Sequence, residues 1–277
     1  MSALQLVVVI AGVASALAWI LSLFTRDTSW VDRLWSLLPE TYVWIFAAHA
    51  GLRDARLDLM AVLTTLWGAR LTFNFARKGG YRGVEDYRWA ELRSRMSPAL
   101  FQVFNLVFIV LIQNALLVAI SLPALAAAEH PSAPHPLDIA LAVAFFACLF
   151  GETLADEQQW RFQRSKAAAV QSGNTSARGF LDTGLFRFSR HPNYFFELAQ
   201  WWLVFAFGAS AAGLHALPSG LGPLLLSALF VGSTRFTEQI SAAKYSDYVD
   251  YQRRTSPIIP WFTRDVADAP RTAPIAE

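Results

Sequence analysis

The chain has little of what most soluble folds rely on. Charged residues make up 16% of its 277 positions, and there is a single cysteine. One cysteine cannot form an internal disulfide, which excludes a cross-linked secreted scaffold. Cys148 lies in the apolar stretch 141–150, where it reads as a small buried hydrophobe rather than a nucleophile. No CxxC or HExxH string occurs, so the two leading Cys/His metal patterns are missing. A net charge of +2 is too small for a nucleic-acid binder, and a hydrophobic share of 55% excludes a disordered chain. What is present, including ten Trp and 21 Phe, is the composition of a protein that lives in a membrane.

A crossing helix needs about 20 mostly apolar residues. Stretches of that kind lie at 4–24, 34–50, 57–75, 100–122, 137–154, 194–213 and 223–240, which predicts an all-α bundle of about seven transmembrane helices. The first is too long, and lacks the preceding Lys or Arg, for a cleavable signal peptide. Positive charge supplies an independent reading, because cytoplasmic loops keep an excess of Lys and Arg. Loops 76–99 and 155–193 and the carboxyl tail are rich in both, whereas connections 123–136 and 214–222 contain neither. The expected topology therefore has the amino terminus outside and the carboxyl terminus in the cytoplasm, in the inner or plasma membrane if the source is bacterial. Residues 1–262 read as one multi-span domain and 263–277 as a disordered tail.

Ionisable groups at membrane depth are costly and mark candidate sites. Glu40 and His49, Arg70, Glu152 and Asp156, Glu197, and Arg235 with Glu238 make up this set. Asn193, Glu197 and Gln200 recur at i, i+4, i+7, as do Glu152, Asp156 and Gln159, so each helix offers one polar face. Such faces on three consecutive spans could line a wet cavity open to the cytoplasm. The plainer alternative makes Arg235 and Glu238, at i, i+3, a neutralising pair and the rest interhelical glue.

Loop 155–193 is predicted to carry a helix over 153–164, then a Gly/Ser/Thr-rich break, then a new helix opening at Pro192, where a missing N–H costs nothing. Arg187, Arg190 and His191 flank that helix start, a ready place for a phosphate or carboxylate, or for ordinary contacts to lipid phosphates. Farther on, Tyr245, Tyr248 and Tyr251 at i, i+3, i+6 form a stripe that either caps an aromatic ligand ring or belongs to an interfacial aromatic belt.

The strings TLADEQQWRFQR, GLFRFSRHPNYFFE and YVDYQRRTSPIIPW, with VDRLWSLLPETYVW, LWGARLTFNFARKGGY and EDYRW upstream, resemble a bacterial-type membrane family related to the carboxy-terminal domain of steroid 5-alpha-reductases. The resemblance runs from about 31 to 262. It implies a seven-span fold, an NADPH site within about 150–262, and an oxidoreductase acting on the CH–CH group of a lipophilic enone, steroid-like or lipid-like. Carried over residue by residue, Arg164 and Arg178 approach cofactor phosphates, Asn193 and Tyr194 hold the nucleotide or nicotinamide amide, and Glu197 and Arg235 fall on matching polar positions. Arg190, His191, Glu238, Tyr248 and Tyr251 complete the expected cofactor set. Glu40 stands for the catalytic glutamate, but Trp67 occupies the place of a catalytic tyrosine. An indole cannot donate a proton as a phenol does, so Arg70 or Tyr87 would act instead, or the substrate differs. RHPNY and the Y..Y..R..P..P tail also resemble integral membrane methyltransferases of the isoprenylcysteine and phospholipid type, for which the cofactor would be S-adenosylmethionine. A third reading is a non-catalytic membrane protein that binds lipids.

Overall fold

The computed structural model describes residues 1–173 and 179–263. Arg178 and the tail from residue 264 lie outside them. Among the described residues every regular element is helical, and the one β-type pairing is an isolated parallel bridge between Ser189 and Ser256. The chain divides into two compact units, one of residues 1–147 and 200–227, the other of 148–199 and 228–277.

The first unit opens with α1 (Ala3–Thr25), started by a reciprocal capping box between Ser2 and Gln5. Its inward stripe is small, with Val7, Ala11, Ala14, Ser15, Ala18 and Ser22 all buried. Its outward face carries Val8, Val9, Val13 and Leu17, each more than half exposed. Small residues inward and large apolar ones outward is the arrangement of a helix in lipid. After a turn-rich stretch, α2 (Leu38–His49) begins with Pro39 in its first turn. At 12 residues α2 rises only about 18 Å, short of the ~30 Å hydrocarbon core that the stretch 34–50 was expected to cross. Residues 29–37 form turns rather than its first helical turns.

The next helix, α3 (Ala55–Arg77), is capped by Asp54, whose carboxylate accepts from Arg56 N and Leu57 N. A short amphipathic α4 (Tyr87–Arg95) precedes a continuous helical run, Pro98–Glu129. That run consists of α5 (Pro98–Phe104), a π-helical stretch Asn105–Ile112, and α6 (Gln113–Glu129). Small residues let backbones meet: a Cβ on Gly208 would lie 2.6 Å from Pro123 O, and one on Gly222 would lie 2.3 Å from Ala119 O. Those two glycines belong to α8 (Pro192–Ala212) and α9 (Leu221–Lys244), which are joined by a 3-10 stretch. A buried ion pair closes one end of this unit. Arg56 Nε reaches Asp138 Oδ1 at 2.9 Å, while its other nitrogens reach Ser132 Oγ and Ala133 O, and Ser210 donates to the same carboxylate oxygen.

The second unit holds most of α7 (Pro136–Gln171), which runs seven residues past the predicted stop at 164. The added turns, SKAAAVQ, consist largely of strong helix formers, and Gly173 at φ +78° supplies the left-handed residue that ends it. As expected, α8 begins at Pro192. The unit closes with α10 (Tyr248–Arg254).

Among the described residues, four helical stretches are long and apolar enough to cross a membrane: Ala3–Thr25, Pro98–Glu129, Pro136–Gln171 and Pro192–Lys244. The last of these contains α8, the 3-10 stretch and α9 together. In α3, Arg56, Asp58, Arg70 and Arg77 lower the mean hydropathy.

Candidate functional site

In the second unit the polar residues converge on Glu238 of α9. Arg190 meets it twice, Nε to Oε1 at 2.6 Å and Nη2 to Oε2 at 2.9 Å. His191 Nε2 lies 3.2 Å from Oε1, and Gln252 Nε2 donates to Oε2 at 3.0 Å. The remaining Arg190 nitrogen donates to the carbonyls of Gln252 and Thr255. Its backbone N–H donates to Ser256 O at 2.8 Å, and that of His191 to Pro257 O at 3.0 Å. Ser189 Oγ donates to Ile258 O at 2.7 Å. These contacts bind the entry of α8 to the chain after α10. Glu238 is thus held by Arg190, not by Arg235 one turn away, because its face of α9 is turned to residues 190, 191 and 252.

The tyrosine stripe meets a ring of the chain itself. Phe180 stacks on Tyr251 at 5.3 Å and 16° and meets Tyr248 edge-on at 5.0 Å and 88°. The Tyr251 hydroxyl donates to Phe186 O. Burial, and then the neighbouring Tyr248, pushes the Tyr251 phenol up, so it keeps the proton it donates. Tyr245 behaves differently. Burial opposes its ionisation, but the Lys166 ammonium at 2.7 Å outweighs burial and holds the phenol below its ordinary value. A bare Gly179 is required beside it, since a Cβ there would lie 2.2 Å from the Tyr245 ring.

The other expected cofactor residues, with the polar face of α7, fall into three groups by exposure. Arg164 and Arg235 are exposed, and no ion pair holds either of them among the described residues. Asn193 and Tyr194 are half-buried on the first turn of α8, Tyr194 stacked on His191 at 5.1 Å. Glu152, Asp156 and Glu197 are buried, and none is without a partner. Two residues that the sequence reading missed lie on the same helix as Arg235. Thr234 Oγ1 and Thr237 Oγ1 are buried without a hydrogen-bond partner among the described residues. A helical threonine ordinarily bonds back to a carbonyl one turn earlier, and that a threonine one or two residues from a candidate arginine did not need to was not legible in the sequence.

In the first unit, Glu40 of α2 lodges in the space left by Gly68 of α3. A Cβ on Gly68 would lie 2.3 Å from Glu40 Oε2 and 2.6 Å from Ser36 O. Glu40 Oε2 is buried and has no hydrogen-bond partner among the described residues. Beside Gly68, Trp67 is 1% exposed and sits edge-on to Trp201, with ring centroids 4.8 Å apart. The indole thus fills core space. Arg70 is half-buried on α3, three residues beyond Trp67. Tyr42 was also missed: it is fully buried, and its hydroxyl has no hydrogen-bond partner among the described residues. The signal was a Tyr where Phe would serve an apolar span, since a buried phenol normally finds a partner. At i, i+2 from Glu40 it lies on another side of α2.

A Schizosaccharomyces pombe protein described as uncharacterized protein C594.04c is 37% identical over 263 residues, covering 87% of this chain and 75% of its own length. No solved structure matches. Residues 18–255 match the family described as protein of unknown function (DUF1295), and the chain belongs to that family.

Proposed function

We propose that the protein is a membrane-embedded, NADPH-dependent reductase of a lipophilic enone, with about seven crossings, the amino terminus outside and the carboxyl terminus in the cytoplasm. The observation that carries this reading is the buried Glu40 carboxyl oxygen without a partner among the described residues, at the position where the resemblance to steroid 5-alpha-reductase-like proteins asks for a glutamate. Buried polar atoms are nearly always hydrogen-bonded, so such an atom calls for a polar ligand.

The cofactor end rests on the second unit. Exposed Arg164 and Arg235 are cations available to phosphates, and the hydroxyls of Thr234 and Thr237 lack partners among the described residues. Asn193 offers an amide at the start of α8. Arg190 and His191 are engaged with Glu238 and act on this end by fixing the α8 entry. When bound, NADPH supplies a hydride to the β-carbon of the enone. Glu40 gives its proton to the carbonyl side of the substrate, and Arg70 polarises the oxygen there. Trp67 shapes an apolar wall and takes no part in proton transfer.

A thermal-shift comparison of detergent-purified protein with NADPH, NADH and S-adenosylmethionine tests the reading, because a ligand that binds only the folded state raises the midpoint. NADPH alone should do so. Stabilisation by S-adenosylmethionine instead would replace the reductase with a methyltransferase of the RHPNY type, and the absence of any shift would favour the non-catalytic reading.

A further inference from the structure

Two lysines of the second unit meet at one phenol. The Lys166 ammonium, on α7, donates to Gly179 O at 2.6 Å and to the Tyr245 hydroxyl oxygen at 2.7 Å, and it lies 4.9 Å from the centre of that ring. Lys244, the last residue of α9, brings a second ammonium to 5.6 Å from the same centre. Lys166 is half-buried and held by two acceptors, whereas Lys244 is exposed. One is therefore already in place and the other is free to close.

Their charge is not answered by the acids around them. Burial acts on the Tyr245 phenol first, but Lys166 and then Lys244 overcome it, and no carboxylate ranks beside them. Asp182 is held by Arg254 at 3.2 Å and Asp250 by Arg253 at 3.1 Å, which leaves Asp247, exposed and two residues past Tyr245. Because the phenol oxygen accepts from Lys166, its own O–H remains to donate, and Lys166 keeps one N–H beyond its two bonds. This corner thus offers donors and two positive charges. A phosphate monoester, at about −1.5 to −2 near neutral pH, matches that charge, while a phosphodiester carries only one negative charge. Ammonium groups bind phosphate as point charges, so no bidentate geometry is required of them.

We propose that Lys166, Lys244 and the Tyr245 hydroxyl receive a phosphate monoester, the 2′-phosphate of NADPH, and so set the preference for NADPH over NADH. The assignment rests on the reductase reading and adds a specificity site to the exposed cations Arg164 and Arg235. The 2′-phosphate is the group that NADPH has and NADH lacks, and the diphosphate bridge is common to both. Were the lysine–tyrosine contact only a tie between the chain at Gly179 and α7, its loss would lower stability without changing the choice of cofactor.

The test titrates the detergent-purified full chain with NADPH and NADH, and follows its melting midpoint with inorganic phosphate or with phosphatidic acid added to the micelles. Wild type should bind NADPH at least about tenfold more tightly than NADH, as one charge-assisted hydrogen bond suffices to do, and inorganic phosphate should raise its midpoint. Lys244→Met, at an exposed position, and Lys166→Met should each weaken NADPH binding by about tenfold, leave NADH binding unchanged and abolish the phosphate effect. Arg161→Met removes an exposed cation of the same helix, paired with Glu157, and should change none of these. The proposal is overturned if Lys244→Met keeps the wild-type ratio of NADPH to NADH affinity, or if both dinucleotides weaken together. It is overturned as well if phosphatidic acid stabilises wild type but not Lys244→Met while the ratio stays the same, since the site would then belong to a lipid headgroup. A wild type that binds neither dinucleotide sinks the reductase reading and the 2′-phosphate with it. In that case a phosphate effect lost in Lys244→Met retains the monoester site, and the absence of any phosphate effect removes that too.

Discussion

Arg190 grips Glu238 with one edge of its guanidinium, Nε and Nη2 at 2.6 and 2.9 Å, with the two side chains 8% and 9% exposed. Removing one partner of a buried pair strands the other charge, so Arg190→Met should cost ~3–5 kcal/mol. The double variant Arg190→Met/Glu238→Leu should recover part of that loss. Thermal melts of the four proteins in one detergent check it, and a double variant no more stable than Arg190→Met would show that the pair is not the source.

Arg164 and Arg235 give the opposite expectation. Both are exposed, so Arg164→Gln and Arg235→Gln should leave the melting midpoint nearly unchanged. Each should weaken NADPH binding by about 1.5–3 kcal/mol, the value of a hydrogen bond to a charged group. Titration of the purified variants with NADPH separates the two effects.

Gly68 tests the lodging of Glu40. The methyl group of Gly68→Ala would meet Ser36 O at 2.6 Å, a backbone atom that cannot swing aside, so a loss of about 1–3 kcal/mol is expected from overpacking. Gly12→Ala on α1, with nothing within 4 Å of the added carbon, is the matched control. Glu40→Gln should keep the midpoint and the NADPH affinity while NADPH oxidation with a lipid enone stops.

Acid sensitivity should come in part from Glu85, which lies outside the apolar stretches. Burial raises its pKa, but Arg93 at 2.6 Å and the N–H and hydroxyl of Thr28 together hold it below the ordinary 4.5. A lowered folded-state value means that this stabilisation is complete above the ordinary carboxylate range and is lost as pH falls through the lowered value. Melting midpoints measured from neutral pH into that acid range should therefore fall less steeply for Glu85→Gln than for wild type.

Orientation can be read with an impermeant thiol reagent on intact cells, in a Cys148→Ala background. Pro134→Cys should label and Ser172→Cys should not. Ser132 is unsuitable for this purpose, because its hydroxyl is bonded to Arg56. Labelling at 172 but not at 134 would invert the proposed topology.

Periodicity and proline chemistry made some of this molecule legible. The opening of α8 at Pro192 and the apolar character of α1 follow from local rules. What could not be read were choices made by distant contacts. Arg235 is one helical turn from Glu238, yet the carboxylate goes to Arg190, 48 residues away in sequence. The tyrosine stripe shows its spacing in sequence, but nothing there says that Phe180 fills it. The stretch 34–50 is apolar enough for a span, yet residues 29–37 turn, held by Ser29, Asp27 and Arg33. Likewise, only the fold shows that Gly68 is small because a carboxyl group needs its place.

The bond from Ser189 to Ile258, and with it the bridge from Ser189 to Ser256, bears on how the protein is made. The loop leading into α8 cannot take up its final hydrogen bonds until the chain 69 residues further on has been synthesised. Proteins generally mature from the amino end during translation, so this unit is finished only after the ribosome has delivered the chain to residue 258. A premature stop before residue 252 would leave Ser189 without its acceptor and Arg190 without its carbonyl partners, even though both residues had long since been translated. Quality control that senses an unsettled α8 entry would thereby be sensing whether translation had passed residue 258.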